Sequence, residues 1–431
     1  MSPNRFALTL AWTPPLEVAA GIAGQEGALC LLSDGGPNGR VSWVGADPDV
    51  VQAGPLDHHD PFIALRQAGL ERQVVGLAAY DAGARPATGP REPAAGDWPD
   101  LMLARYPALL RFHHPSRTIQ AIGTGPDAEA QARRAAGWIA RSKAAPRPAA
   151  PAGEFDGETS ETSYTSAVAD VVARIAAGEL FQANIARAWG GRLRDDADPF
   201  DVFLRLAQGA APYGAFWQLG DRVLVSNSPE LFLTFDPADR RLETRPIKGT
   251  RARDVDPNQD AANAADLVAS AKDRAENLMI VDLMRNDLAR VSEPGSVIVE
   301  RLLMLESFAT VHHLVSTVVS TATEGAGPAD ILEATFPPGS ITGAPKHQAM
   351  KVIADHEPPR GPWCGSLFLL DDRARMTASV LIRTASFWRD GEGWRFRTLA
   401  GAGIVADSDP DAECAETDIK IMAIRRALIG P

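Results

Sequence analysis

Two acidic pairs carry the chemical spacing that stands out in this chain. Asp273 and Glu276 are three residues apart, Glu413 and Glu416 are three apart, and Lys420 follows Glu416 by four. On a helix, residues at these spacings share one face. Four carboxylates brought together repel one another unless a hard cation lies between them. Mg²⁺ accepts a few carboxylates while keeping positions for water and substrate oxygens, so Asp273, Glu276, Glu413 and Glu416 are candidate ligands for it. Acidic pairs on helices are most often only solvated faces, and the reading therefore depends on their company. Glu276 opens the run ENLMIVDLMRNDLARV, and Glu413 follows the glycine-bearing AGAGIVADS.

The elements that must position these groups are legible in part. Asp260 to Leu288 reads as helical and would carry the first pair. The second pair needs a closing helix, for which Ser408 and Asp409 are N-cap candidates, Pro410 stands near the first position, and Ile419, Met422 and Ala423 form an apolar stripe. Val311 to Thr321 alternates with period two and is rich in valine and threonine, which predicts a strand. His313 shares a face of it with Val311 and Val315, whereas His312 points to the other face. Further strands are expected around Gln73 to Tyr80, Phe181 to Trp189, Val223 to Phe235, Leu367 to Leu370 and Ser379 to Phe387. Helices are expected over Asp127 to Ser142 and Thr162 to Ala177, the latter stopped by Gly178. Pro345 is expected as the first residue of another helix, whose N-terminal amides favour an anion. Runs of strands interrupted by helices, without regular alternation, predict an α+β fold built mainly on antiparallel sheets.

Composition narrows the classes of function. The 431 residues suffice for a large two-sheet fold, and 45% hydrophobic with 23% charged residues is ordinary for globular proteins. A formal charge of -12 and scattered arginines argue against a nucleic-acid partner. Cys30, Cys364 and Cys414 are too few and too far apart for a metal or disulfide framework, and are read as buried thiols in a reducing compartment. The short apolar run Phe6 to Trp12 ends at Pro14 and Pro15, and no stretch has membrane-helix length, so a cytoplasmic protein is expected. The alanine- and proline-rich segment from Lys143 to Gly157 is a candidate linker between residues 1–150 and 158–431.

Together ENLMIVDLMRNDLARV, FPPGSITGAPKHQAMKVI, the IRTA at Ile382 to Ala385 and GAGIVADSDPDAECAET resemble the chorismate-utilising enzymes. The family includes anthranilate, isochorismate, salicylate and aminodeoxychorismate synthases. The resemblance runs from about Thr162 to the carboxyl end, and GLAAYDAG extends it into the first part. It implies a two-lobed α/β sandwich of two large, mainly antiparallel sheets with helices outside, in which residues 1–150 belong to the same assembly and the linker is only a loop. Chorismate is the implied substrate. Glu276 and Glu416 would hold Mg²⁺ against its ring carboxylate, with Asp273 and Glu413 in a supporting or water-mediated shell. Arg383 would bind the enolpyruvyl carboxylate as a planar fork. Gly401 and Gly403 would let backbone amides approach the ligand, although Ala402 replaces a glycine common in relatives. Thr342, His313, in the motif HLVS, and Lys420 complete the implied substrate contacts.

Within the family, Lys248 in RPIKGT discriminates. The anthranilate, isochorismate and salicylate branches generally carry alanine there, and the aminodeoxychorismate branch carries lysine. The resemblance then implies that the Lys248 amine attacks ring carbon 2 and the carbon 4 hydroxyl leaves. Ammonia next attacks carbon 4 and expels the lysine. Glu230 in SNSPELF matches the general acid, provided that its pKa is raised towards neutrality. Gly249 and Thr250 would shape the ring pocket, and an inward Arg245 would help to deprotonate Lys248. Gln182 in FQANIA stands where the water-using members carry a lysine. The chain contains no glutaminase or pyridoxal-phosphate lyase domain, so a glutamine amidotransferase subunit is the expected source of ammonia, in a heterodimer. An amino-lyase of the anthranilate type is the runner-up, and a noncatalytic chorismate-binding subunit is a third reading.

Overall fold

The computed structural model describes residues 5–37, 39–54, 62–66, 72–308 and 311–430. Among these, the strand-forming runs pair into two sheets. The twelve-stranded sheet runs Arg5–Leu10, Thr118–Thr124, Ala108–His113, Val41–Gly45, Leu29–Leu32, Tyr213–Leu219, Arg222–Ser228, Thr384–Asp390, Gly393–Ile404, Gln182–Arg192 and Gly343–Ala344, with Asp156–Gly157 beside Gln182–Arg192. The ten-stranded sheet runs Ile247–Ala252, Val311–Thr321, Arg241–Thr244, Leu231–Asp236, Met376–Val380, Ser366–Leu370, Val74–Ala78, Leu101–Arg105 and Val50–Gly54, with Ile298–Ser307 on the outside of Val311–Thr321. Antiparallel pairing and ten helices among the described residues agree with the α+β reading. Strands from the first 125 residues enter both sheets: Leu29–Leu32 pairs with Tyr213–Leu219, and Val74–Ala78 pairs with Ser366–Leu370.

Alternation along the strands sends one face of each sheet into a shared core. Leu29, Trp217 and Leu224 from the first sheet meet Val75, Leu77, Met102, Leu367 and Leu369 from the second. Burial of each such side chain is worth about 1.5–3 kcal/mol at most, against an extended chain. Two of its polar side chains pair inside: the Trp217 indole donates to the Tyr106 hydroxyl at 2.7 Å, and that hydroxyl donates to the Gly27 carbonyl at 2.8 Å.

Two expected strands are divided, and the divisions matter. Val223 to Phe235 breaks at Pro229 and Glu230, so that Arg222–Ser228 lies in the first sheet and Leu231–Asp236 in the second. Ser379 to Phe387 breaks at residues 381–383 and crosses back, from Met376–Val380 to Thr384–Asp390. The two crossings lie side by side, because each pairs with the other on both sheets. Likewise the long helix divides at Ser270 into Pro257–Ala269 and Ala271–Ala289. Ser270 leaves helical geometry, with ψ of 110°, and its hydroxyl caps the Asp273 amide at 3.2 Å. The helix expected to Ser142 ends at Gly137, followed by a short 3-10 turn. The helix expected from Pro345 begins at Lys346. The segment from Lys143 to Phe155 has no helix and lies tied to the body: the Ala152 amide donates to the Leu428 carbonyl at 3.0 Å, and Arg205 donates to the Pro148 carbonyl at 2.8 Å.

Candidate active site

The paired crossings form the floor of a cavity of about 760 Å³. At one crossing, the Ser228 hydroxyl donates to the Val380 carbonyl at 2.6 Å and accepts from the Glu230 amide at 3.2 Å. The Val380 amide donates to the Glu230 carbonyl, and the Asn227 amide to the Arg383 carbonyl. These bonds fix Glu230 and Arg383 on adjacent loops between the sheets. Arg383 holds a left-handed φ of 52°, a conformation that an arginine keeps only where the surroundings enforce it.

Glu230 is 6% exposed. Burial drives its pKa up to about 7, although Ser340, Lys248 and Lys420 oppose the rise. The Arg383 guanidinium lines the same cavity and has no hydrogen-bond or ion-pair partner among the described residues; burial lowers its pKa from the usual arginine value. A half-buried, unpaired guanidinium facing a cavity is a ready seat for a carboxylate. His313 is pushed down to about 4, by burial first and then by the nearby Arg383, so it is neutral at physiological pH. Its Nδ1 meets the Thr250 hydroxyl at 2.9 Å. His312, on the other face, meets Asp260 and Ser307 instead.

Lys248 enters the cavity from the edge strand Ile247–Ala252. A bulge at Gly249 lets Lys248 pair with Leu314 and Thr250 with His313. Gly249 has φ of 79°, and a Cβ there would lie 2.8 Å from Leu267 and 2.9 Å from Asp273. Only glycine fits between this strand and the acidic helix. Arg245 does not point into the cavity. It pairs with Glu306 beside a separate depression lined by Glu243 and Glu300.

The acidic pairs lie in the opening turns of their helices, where the helix dipole favours negative charge. Ser270 caps Ala271–Ala289, and Asp409 caps Pro410–Ile429 by accepting from the Ala412 amide at 2.9 Å. All four carboxylates line the cavity. Asp273 meets Arg251 at 3.3 Å, Glu413 meets Lys272 at 3.7 Å and accepts from Ser408 at 2.7 Å, and Glu416 meets Lys420 at 2.6 Å. Glu276 has no such partner among the described residues. Burial raises its pKa, Lys248 and Lys272 oppose this, and Asp273 and Glu416 add to it. For Glu416, burial is outweighed by Lys420, and the pKa is lowered. Among the described residues, no three His, Cys, Asp or Glu side chains are gathered as a ready coordination sphere. The donors nevertheless suit a hard cation: they are oxygen ligands, and Glu276 bears a mutual repulsion that a cation would relieve.

Gly401 and Gly403 line the cavity on Gly393–Ile404, and Lys420 donates to the Gly401 carbonyl at 2.9 Å. A Cβ on Gly403 would come within 2.4 Å of the Gln182 amide and 3.5 Å of the Lys248 Nζ. Thr342 stands apart from the other expected site residues. It is fully buried, it is not in the cavity wall, and its hydroxyl donates to the Pro338 and Gly339 carbonyls. The loop that carries it is held by Lys346, whose ammonium bonds Asp287 at 2.5 Å and the Thr335 and Pro337 carbonyls at 2.9 Å. The further wall residues that sequence reasoning missed include Asn184, Arg251, Lys272, Ser340 and Trp363. Asn184 left a readable trace, a polar residue in the otherwise apolar run ANIA; Ser340 lies in the 3-10 turn Gly339–Ile341 within the motif FPPGSITGAPKHQAMKVI, and Trp363 sits in a turn without a local signal.

Residues 36–426 match the family described as chorismate binding enzyme. An aminodeoxychorismate synthase component 1 from Klebsiella aerogenes is 39% identical over 417 residues, covering 94% of this chain and 87% of that protein. An anthranilate synthase component 1 from Thermus thermophilus is 35% identical over 394 residues, covering 86% and 83%. The structure of anthranilate synthase component I from Streptococcus pneumoniae TIGR4 superposes with a TM-score of 0.76 at 24% identity, over 90% of this chain and 92% of that one, and shows the fold alone. With the family match spanning most of its length, the chain belongs to the chorismate binding enzymes.

Proposed function

We propose that the chain is the chorismate-using component of an aminodeoxychorismate synthase, converting chorismate and ammonia to 4-amino-4-deoxychorismate. The observation that carries this reading is one cavity lined by Lys248, by the unpaired Arg383 and by Glu230 with its pKa near 7. The naming of relatives such as that from Klebsiella aerogenes supports it.

Arg383 receives the enolpyruvyl carboxylate, with neutral His313, Thr250 and the backbone at Gly401 and Gly403 closing around the ring. The Lys248 amine forms a bond to carbon 2, the ring double bonds shift, and the carbon 4 hydroxyl departs as water with the proton of Glu230. Ammonia forms its bond at carbon 4, the double bonds return, the Lys248 amine leaves as it came, and the extra proton on the new nitrogen restores Glu230. Splitting one hard substitution into two allylic displacements lowers each barrier. Glu276 and Glu416 would hold Mg²⁺, with Asp273 and Glu413 supporting, and the bound cation would neutralise the ring carboxylate. Lys420 would exchange its bond to Glu416 for a role in orienting the substrate.

Ammonia is mostly protonated at neutral pH, so a glutamine amidotransferase subunit is the partner that this chemistry calls for. No described helix is long and apolar enough to cross a membrane, and we place the pair in the cytoplasm. Residues 1–150 and 158–431 then act as one folding unit, because their strands share both sheets. The assay is direct: purified chain with chorismate, Mg²⁺ and ammonium yields 4-amino-4-deoxychorismate. Release of pyruvate and anthranilate would instead establish the lyase reading; the Thermus thermophilus relative is named as an anthranilate synthase component, at lower identity than the Klebsiella aerogenes one.

A further inference from the structure

A lysine stands where a helix least favours one. Lys272 is the second residue of Ala271–Ala289, in the turn whose dipole attracts anions and disfavours an ammonium. Its side chain lines the cavity and reaches across to the other acidic helix, where the Nζ lies 3.7 Å from the Glu413 Oε1. Among the described residues this is the only ion pair that joins the two acidic helices.

The other cations beside these carboxylates are held more firmly. Arg251 meets Asp266 at 2.6 Å and Asp273 at 3.3 Å, and Lys420 meets Glu416 at 2.6 Å and the Gly401 carbonyl at 2.9 Å. Lys272 makes its one ion pair beyond hydrogen-bond length, and its side chain is 56% exposed. A long, half-exposed pair contributes little to stability, so this ammonium is the most easily displaced of the three. Glu413 would not be left alone by its departure, because the Ser408 hydroxyl still donates to it at 2.7 Å.

The charge of Lys272 nevertheless reaches three of the four carboxylates. Besides pairing with Glu413, it holds down the pKa values of Glu276 and Glu416. An ammonium so placed does weakly what a divalent cation does strongly, which is to offset the repulsion among the acids. The two repel each other and compete for the same oxygens. We propose that Lys272 is a placeholder for the divalent cation: it bridges the acidic helices before the metal binds, yields Glu413 to the metal, and then turns its charge to the anionic substrate at the cavity mouth. This rests on the Mg²⁺ and chorismate of the reading above and adds a residue that answers to both. On a chain with a formal charge of -12, a dianion needs local positive charge to enter, and an exposed, released lysine supplies it.

The test uses the full chain with Lys272→Met, which keeps the length without the charge, and with Lys272→Arg, which keeps the charge. Mn²⁺, a hard ion that takes the same oxygen donors, is titrated without chorismate and the free ion counted by its EPR signal. Chorismate consumption is then followed at saturating Mg²⁺ and ammonium. Lys272→Met should bind Mn²⁺ about two- to five-fold more tightly than the wild type, as for removal of one exposed ion pair. It should also lose about three- to ten-fold in kcat/KM for chorismate, a loss that shrinks as salt is raised. Lys272→Arg should restore most of both. Damage to the fold would weaken both, so the opposite signs are the signature of the handover. An Mn²⁺ affinity that is unchanged or weaker in Lys272→Met overturns the placeholder, as does an unchanged kcat/KM for chorismate. Wild-type chain that takes up no Mn²⁺ even with chorismate present overturns the metal reading itself, and the placeholder with it.

Discussion

Replacing Glu230 by glutamine should stabilise the protein in alkaline solution while removing its activity. Glu230 is buried between the sheets, and its pKa rises from 4.5 to about 7. The folded state thus binds this proton more tightly than the unfolded chain does, and stability falls as pH rises from about 4.5 through 7. A rise of this size corresponds to about 3 kcal/mol against the ionised carboxylate, fully present above pH 8 and mostly relieved at pH 5. Glutamine keeps the shape and never ionises. Denaturant unfolding at pH 5 and at pH 8.5 should therefore show Glu230→Gln gaining on the wild type by about 2 kcal/mol between the two conditions. Because glutamine cannot protonate a leaving hydroxyl, kcat should fall about a hundred- to ten-thousand-fold over the same range. A stability difference that is flat across this range would refute the buried-acid argument. A flat difference with full activity would also remove Glu230 from the chemistry.

Lys248→Met should abolish a covalent intermediate: intact-mass analysis of the wild-type chain with chorismate and Mg²⁺, without ammonia, should show an adduct that peptide mapping puts on Lys248, and the variant should show none. Arg383→Lys should raise the chorismate KM about ten- to a hundred-fold, because a point charge replaces a planar fork at an otherwise unpaired site; steady-state kinetics at saturating ammonium measure it, and an unchanged KM would remove the carboxylate from this position. Gly249→Ala should cost about 1–3 kcal/mol in denaturant unfolding, since φ of 79° and contacts below 3 Å to Leu267 and Asp273 leave a methyl no room.

How far the sequence reached depends on whether a residue's role is local. The strand Val311–Thr321 was legible to the residue because alternation is written within the strand, and the Asp409 cap follows from a side chain three residues from the amide it binds, whereas Ser408, the other candidate, bonds the Val405 amide and Glu413 instead. The crossings at Glu230 and Arg383 were not legible as crossings: Val223 to Phe235 and Ser379 to Phe387 are apolar on both sides of the break, and a sheet change leaves the local pattern intact. Yet those breaks put Glu230 and Arg383, the proposed general acid and carboxylate-binding arginine, on adjacent loops. The division at Ser270 was hidden for the opposite reason, since alanine-rich flanks favour continuous helix and only the capping bond shows that the chain turns. Spacing could pair Asp273 with Glu276 and Glu413 with Glu416, but bringing the two pairs to one cavity required the sandwich. The same limit applies to Lys272: its ion pair with Glu413 joins two helices far apart in the chain, a property of the fold that no spacing along the chain encodes. Sites of this kind are assembled at the seams where one sheet hands the chain to the other, and there the packing of both sheets, more than the sequence of either strand, decides which side chains face the substrate.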